Sequence, residues 1–229
     1  MPQFAAVAFD LDGTLYPNFS LYWRLTPFMC MHGRMLLQFG KARDQIRREQ
    51  ELAPAAFRKD FYRYQALLTA ERLNADPEQI GEEIERLIYR GFEPHFKKIK
   101  LFPHAKELLD ELRAASFKLG MLSDFPPKVK LKNLGIEGCW DAVLCSEEAG
   151  AIKPAMRPFA ALAEALACPP GQILYVGNSA RYDVAGAKRA GMKTALVTRR
   201  GRQPSAADPA RRADFSFNDY RQLRDFVLQ

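Results

Sequence analysis

The chain opens on an unbroken apolar run, F-A-A-V-A-F from Phe4, that stops abruptly at D-L-D-G-T-L-Y. A short apolar run followed by turn residues predicts a strand buried on both faces. From about Asn18 to Lys100 the apolar positions change to a helical period. Phe57, Phe61, Tyr64 and Leu68 share one face, as do Ile80, Ile84, Leu87 and Ile88, with Pro77 near that helix's start and Gly91 at its end. Beyond Phe102-Pro103, short strand-like runs alternate with helical ones. The predicted strands are 117–122, 142–145, 173–176, 194–197 and, at the edge, 215–217. The predicted helices open at Pro103 and at Pro126-Pro127, cover Phe159, Leu162 and Leu166, run over 180–190, and end the chain with Leu223, Phe226 and Val227. Strands alternating with helices predict a doubly wound, Rossmann-like α/β fold with a parallel sheet. Its expected division is a core of residues 1–16 and 101–229, interrupted by an all-helical insert at 17–100.

Composition adds limits. At 229 residues the chain is long enough for a sizeable core without staples. Its four cysteines (Cys30, Cys139, Cys145 and Cys168) form no C-x-x-C pair and no zinc spacing, and are expected as buried or partly buried thiols in a reducing cytoplasm. The first apolar run has no basic residues before it and ends at Asp10, which argues against a signal peptide or a membrane span. The net charge of +7 is spread along the chain. Arg199, Arg200, Arg202, Arg211 and Arg212 do cluster, but Pro204 and Pro209 break that stretch up as in a solvated loop. A general positive field favours anionic substrates; no specific nucleic-acid partner is expected, for want of a recognised binding motif.

The chemistry-bearing residues recur at strand ends. Asp10 and Asp12 follow the first strand, Ser123 follows the second, and Asn178 and Ser179 follow a later one with Asp183 a helical turn on. Lys153 stands in a loop, A-I-K-P. In an open parallel sheet those ends share one crevice. Two acids two residues apart repel one another unless something positive lies between them, and a divalent cation is the simplest candidate; an ordinary Asp-Gly turn is the plainer alternative. Carboxylates for a hard cation, with a lysine and a hydroxyl for phosphoryl oxygens, make a kit for handling a phosphate. Asp124 is expected as the N-cap of the helix opened by Pro126 and Pro127, and its place beside Ser123 makes it a phosphate-binding candidate too. His32, His95 and His104 have no partners at metal spacing. Tyr16, Phe19, Tyr22 and Trp23 form an aromatic cluster that suits either the core of the helical insert or a substrate pocket.

In order, D-L-D-G-T-L, L-S-D, K-P and G-N-S-x-x-x-D resemble the motifs of the haloacid dehalogenase superfamily, in its large phosphatase branch. The spacing agrees, since Lys153 lies 30 residues after Ser123 and Asp183 lies 30 after Lys153. The insert resembles that family's α-helical cap in position and helicity. The resemblance implies a Mg2+-dependent phosphatase acting on a small phosphorylated metabolite. Asp10 would be the nucleophile, forming an aspartyl-phosphate, and Asp12 the general acid and then base. Ser123, Lys153 and the backbone near Gly13 would hold the phosphate. Mg2+ would bind Asp10, the carbonyl of Asp12, and Asn178 and Asp183. This chain has Gly-Asn where the family commonly has Gly-Asp, so weaker metal binding is expected. A phosphomutase using the same intermediate, and a catalytically weak sensor or protein partner, are the alternatives; a dehalogenase is disfavoured because the dehalogenase branch lacks the second acid.

Overall fold

The computed structural model describes residues 4–53, 58–198 and 208–229, without the side chains of Ser20 and Tyr22. Phe57, the side chain of Tyr22, and Arg199, Arg200, Arg202 and Pro204 therefore lie outside the described residues. Six strands form one sheet: β1 (Ala6–Phe9), β2 (Lys118–Ser123), β3 (Ala142–Cys145), β4 (Ile173–Gly177), β5 (Lys193–Val197) and β6 (Phe215–Phe217). Their order is β3-β2-β1-β4-β5-β6, and every pairing is parallel. The winding reverses direction at β1, so a crevice opens beyond the carboxyl ends of β1, β2 and β4.

Side chains alternate across the sheet, and each face has its own core. Val7 and Phe9 pack with Leu119, Met121, Leu174 and Val176 on one side. Ala6 and Ala8 pack with Ile173, Tyr175, Phe159 and Leu162 on the other. All four residues of β1 are fully buried, as its apolar run predicts.

Among the described residues, the segment 17–100 holds α1 (Asn18–Leu52), α2 (Phe61–Leu73), α3 (Pro77–Ile84) and the short α4 (Glu93–Phe96). Pro27 lies inside α1, and His32 leaves helical geometry at φ −113° and ψ 17°, so the helix is kinked there. Asp76 caps α3 by accepting from the amides of Glu78 and Gln79, both at 3.0 Å, and Pro77 occupies the first turn, where its missing N–H costs nothing. A wider helical turn extends α3 through Glu85–Arg90. Ile80, Ile84, Leu87 and Ile88 bury against Met35 and Phe39 of α1 and Ala66 and Ala70 of α2. Ala42, Ile46, Phe61 and Leu68 instead gather around Ile152, in the loop after β3.

The remaining helices are α5 (Ala105–Ala114), α6 (Lys128–Asn133), α7 (Met156–Ala165), α8 (Ala185–Arg189) and α9 (Tyr220–Leu228). The helix expected to open at Pro103 starts at Ala105, because His104 adopts a left-handed φ of 64°. The expected helix over 180–190 divides into a wide turn, Ala180–Val184, and α8. Cys139, Cys145 and Cys168 are buried free thiols, whereas Cys30 is exposed on α1.

A buried polar knot ties the helical segment to the sheet. Arg43 of α1 forms an ion pair with Glu147, which follows β3, and both side chains are almost completely buried. Arg43 also donates to Gln65 of α2 at 2.8 Å, and the Tyr89 hydroxyl donates to Glu147 at 3.0 Å. Burial pushes the Glu147 carboxyl upward, against the opposing pull of Arg43. Removing one partner leaves an uncompensated buried charge. Arg43→Met should therefore lower stability by about 3–5 kcal/mol in urea unfolding. Adding Glu147→Leu to that variant should recover most of the loss, since no lone charge then remains.

Candidate active site

Asp10 follows directly on β1, its N–H donating to the carbonyl of Val176 at 2.9 Å. One of its carboxylate oxygens accepts from the Thr14 hydroxyl at 2.7 Å, the other from Lys153 Nζ at 2.6 Å. Lys153 also donates to Asp183 Oδ1 at 2.8 Å. Asp10 follows β1, Lys153 comes from the loop after β3 and Asp183 from the wide turn after β4, and all three side chains are buried. The second oxygen of Asp183 accepts from the amides of Asn178 at 3.2 Å and Ser179 at 3.0 Å. A Cβ at Gly177 would collide with this carboxyl group, so only glycine fits beneath it.

The D-G-T turn is fitted equally closely. Gly13 has a φ of 83°, and a Cβ there would run into the Asn178 side chain. With that space open, Asn178 Nδ2 donates to the carbonyl of Asp12 at 3.2 Å. The Tyr220 hydroxyl of α9 donates to the carbonyl of Thr14, fixing the turn from behind.

Asp12 sits in different surroundings. Its carboxylate is partly exposed and takes both oxygens to Lys130 Nζ, at 2.7 and 2.6 Å, while the Tyr16 hydroxyl donates to one of them. Sequence reasoning did not single out Lys130. It is the middle lysine of K-V-K-L-K on α6, and nothing in that pattern separates it from Lys128 and Lys132, which are exposed. Ser123 is buried at the end of β2, and its oxygen accepts from the Phe125 amide at 3.2 Å. The hydroxyl proton is then the group it can offer to a ligand.

Asp124 is a correction. α6 is capped by Pro127 with no side-chain hydrogen bond, so Asp124 is not its N-cap. Its Oδ1 accepts from the Lys153 amide at 3.0 Å and its Oδ2 from Arg47 at 3.2 Å, with Arg43 at 3.8 Å. Arg47 Nε also donates to the Lys153 carbonyl at 3.1 Å. Both edges of the Lys153 peptide are thus clamped, and the Asp124 carboxylate, being an acceptor only, serves that clamp. Burial raises the Asp124 carboxyl, but Lys153, Arg43 and Arg47 together outweigh burial and hold it below its ordinary value.

The aromatic cluster divides. Tyr16 is buried against Asp12, while Phe19 and Trp23 are exposed and stacked on one another at 6.5 Å between ring centroids. They belong neither to the insert's core nor to a closed pocket. Phe19 does line an open cavity of about 560 Å³ beside Gly13 and Asn178. His32 and His95 both pack on Phe28. Among the described residues no cluster of three or more acidic, histidine or cysteine side chains is arranged to hold a metal.

The electrostatics show what the cluster lacks. Burial dominates at Asp10; Lys153 opposes it, while Asp183 and Asp12 add to it, and the carboxyl is pushed up to about 7. Burial would lower the Lys153 ammonium, but Asp10 and Asp183 more than offset it and raise Lys153 well above the usual lysine value. One ammonium thus faces two buried carboxylates. Asp10, the Asp12 carbonyl and Asp183 carry oxygen donors of the kind a hard cation takes, and Asn178 adds a neutral amide, whose Nδ2 here donates to the Asp12 carbonyl, in place of a carboxylate. These residues fit a divalent cation with one ligand charge fewer than a Gly-Asp motif would give.

An open parallel sheet with acids and a lysine gathered at its switch point, and helices inserted after its first strand, defines a Rossmann-like hydrolase core. The chain belongs to the haloacid dehalogenase-like hydrolases, whose family model matches residues 4–191. It is 30% identical to a glyceraldehyde 3-phosphate phosphatase of Methanopyrus kandleri, over 98% of this chain and 97% of that one. It is 28% identical to a phosphoglycolate phosphatase of Salmonella typhi, over 84% of this chain and 80% of the other. Among solved structures it is similar to a phosphatase of this family from Thermococcus onnurineus, with a TM-score of 0.64, 26% identity, and 97% of both chains covered.

Asp10 supplies a pH signature in metal-free protein. Its native value near 7 exceeds the unfolded carboxylate value of 3.8, so the folded state binds the proton more tightly. That contribution to stability is fully present below about pH 4 and is lost as the pH rises through 7. Urea unfolding between pH 4 and 8 should show this decline, and Asp10→Asn should flatten it.

Proposed function

We propose that this enzyme is a Mg2+-dependent phosphatase that hydrolyses a small phosphomonoester through an aspartyl-phosphate. The reading is carried by Asp10, a carboxylate at the end of the central strand, held between Thr14 and Lys153, with a second acid two residues on. The phosphatase names of its relatives from Methanopyrus kandleri and Salmonella typhi support hydrolysis over phosphoryl transfer to a sugar.

In this reading Asp12 enters the first step protonated; an Asp10 oxygen attacks phosphorus, the bond to the leaving oxygen breaks, and Asp12 gives that oxygen its proton. Water then attacks the aspartyl-phosphate, Asp12 accepts its proton, and Asp10 is regenerated. Lys153 and the Ser123 hydroxyl hold the phosphoryl oxygens, with the backbone at Gly13 close by. Asp10, the carbonyl of Asp12, Asn178 and Asp183 would hold Mg2+, which supplies positive charge to the phosphoryl group when bound. Asp124 acts through Lys153 by fixing its peptide.

The helical segment 17–100 serves as a cap domain over the core formed by 1–16 and 101–229. Three buried free thiols fit a reducing cytoplasm, and no helix among the described residues is long and apolar enough to cross a membrane. The partner is a small phosphorylated metabolite.

Release of p-nitrophenol from p-nitrophenyl phosphate should require Mg2+, stop with EDTA and vanish in Asp10→Asn. Asp12→Asn should lower kcat by about 10²–10⁴. Asn178→Asp should tighten Mg2+ binding by on the order of tenfold, read by calorimetry, because it adds a ligand charge. Turnover unaffected by Asp10→Asn would refute the proposed nucleophile.

A further inference from the structure

Lys130 is the buried cation that the reaction scheme leaves without a task. It comes from α6 and not from the inserted helices. Its ammonium lies near the faces of Phe96 and Phe125, 5.0 and 5.6 Å from the ring centroids. It reaches Asp12, the residue that must stand at the leaving oxygen of the ester. An ammonium has three donors, and the two hydrogen bonds to Asp12 use two of them. The same lysine helps line a cavity of about 410 Å³ between the helical segment and the core. Lys130 thus connects the proton-transfer residue to that space. The cavity lining mixes Arg90, Lys128 and Lys130 with Glu85, Glu93 and Glu148. A lining so balanced in charge suits a neutral polar group better than a second phosphate.

Geometry limits what the remaining donor can meet. The leaving oxygen lies one hydrogen bond from Asp12, and Lys130 lies one hydrogen bond from the same carboxylate. Two such bonds in series span at most about 5.5 Å. The ammonium is therefore within reach of an oxygen carried on the carbon next to the ester carbon. We propose that Lys130 is a specificity-determining residue that binds this oxygen, so that the preferred substrates are phosphoesters of short alcohols bearing a hydroxyl or carbonyl oxygen beside the ester carbon. This proposal rests on the phosphatase reading for the placement of the ester, and it selects a substrate class within that reading.

The test compares sn-glycerol 3-phosphate with n-propyl phosphate, which differ in the hydroxyls alone. Binding is measured by calorimetry in Asp10→Asn, where turnover does not interfere, and again with Lys130→Met or Lys130→Arg added. Methionine keeps an unbranched side chain of similar length without the charge, and arginine retains the charge. In Asp10→Asn the glycerol ester should bind about tenfold tighter or better, the worth of one charge-assisted hydrogen bond. Lys130→Met should abolish that preference while leaving propyl phosphate within about twofold, and Lys130→Arg should keep part of it. Equal affinity for the two esters in Asp10→Asn, loss of both alike in Lys130→Met, or failure of both to bind would overturn the proposal. Failure of the phosphatase reading would appear separately, as no phosphate released from any ester by the native chain.

Discussion

The rest of the site depends on one buried ammonium. Lys153 sits between two buried carboxylates, Asp10 and Asp183. Taking such charges out of water costs several kcal/mol per ion, and only close, well-directed contacts offset it. Those contacts exist because the segments that follow β1, β3 and β4 meet on the carboxyl side of one parallel sheet. The lysine is held by more than its own tip: its amide is bonded to Asp124, its carbonyl to Arg47, and its neighbour Ile152 is packed among apolar residues of α1 and α2. Residual negative charge then remains in the pocket, which is the condition a hard cation would relieve.

The two acids of the D-L-D turn are given opposite settings by the same short loop. Asp10 points into the protein, where burial raises its carboxyl. Asp12 points outward to an ammonium and a tyrosine hydroxyl. Separate environments for neighbouring carboxyls are a general way of giving them separate tasks in one reaction. The closeness of the loop to Asn178, possible only over Gly13, keeps the two settings apart without adding bulk.

Much of this was legible in the sequence. Strands such as Ala142–Cys145 and Phe215–Phe217 stand where apolar runs end in turn residues, and acids or hydroxyls at strand ends must meet in a parallel sheet. What escaped was set by contacts between distant segments. Asp124 looks like a helix cap locally, yet its carboxylate bonds Arg47, 77 residues away, and lies 3.8 Å from Arg43. Lys130 is one of three alternating lysines until the fold turns it toward Asp12. The left-handed backbone at His104 displaced a helix start that Pro103 announced. The division of residues 180–190 reflects the need to bring Asp183 back beneath Gly177, a tertiary demand that small side chains permit without signalling it.

The arginines of α1 bear on how such enzymes diversify. Arg43 and Arg47 reach Asp124 and the Lys153 peptide from the same helix whose other residues build the inserted layer. The inserted helices and the loop carrying Lys153 are therefore joined through that one helix. Recombination that exchanged the whole insert between relatives would also exchange the struts that hold the Lys153 backbone. Point changes on α3 leave those struts in place, whereas wholesale replacement of the insert demands matched changes at Asp124 and Glu147.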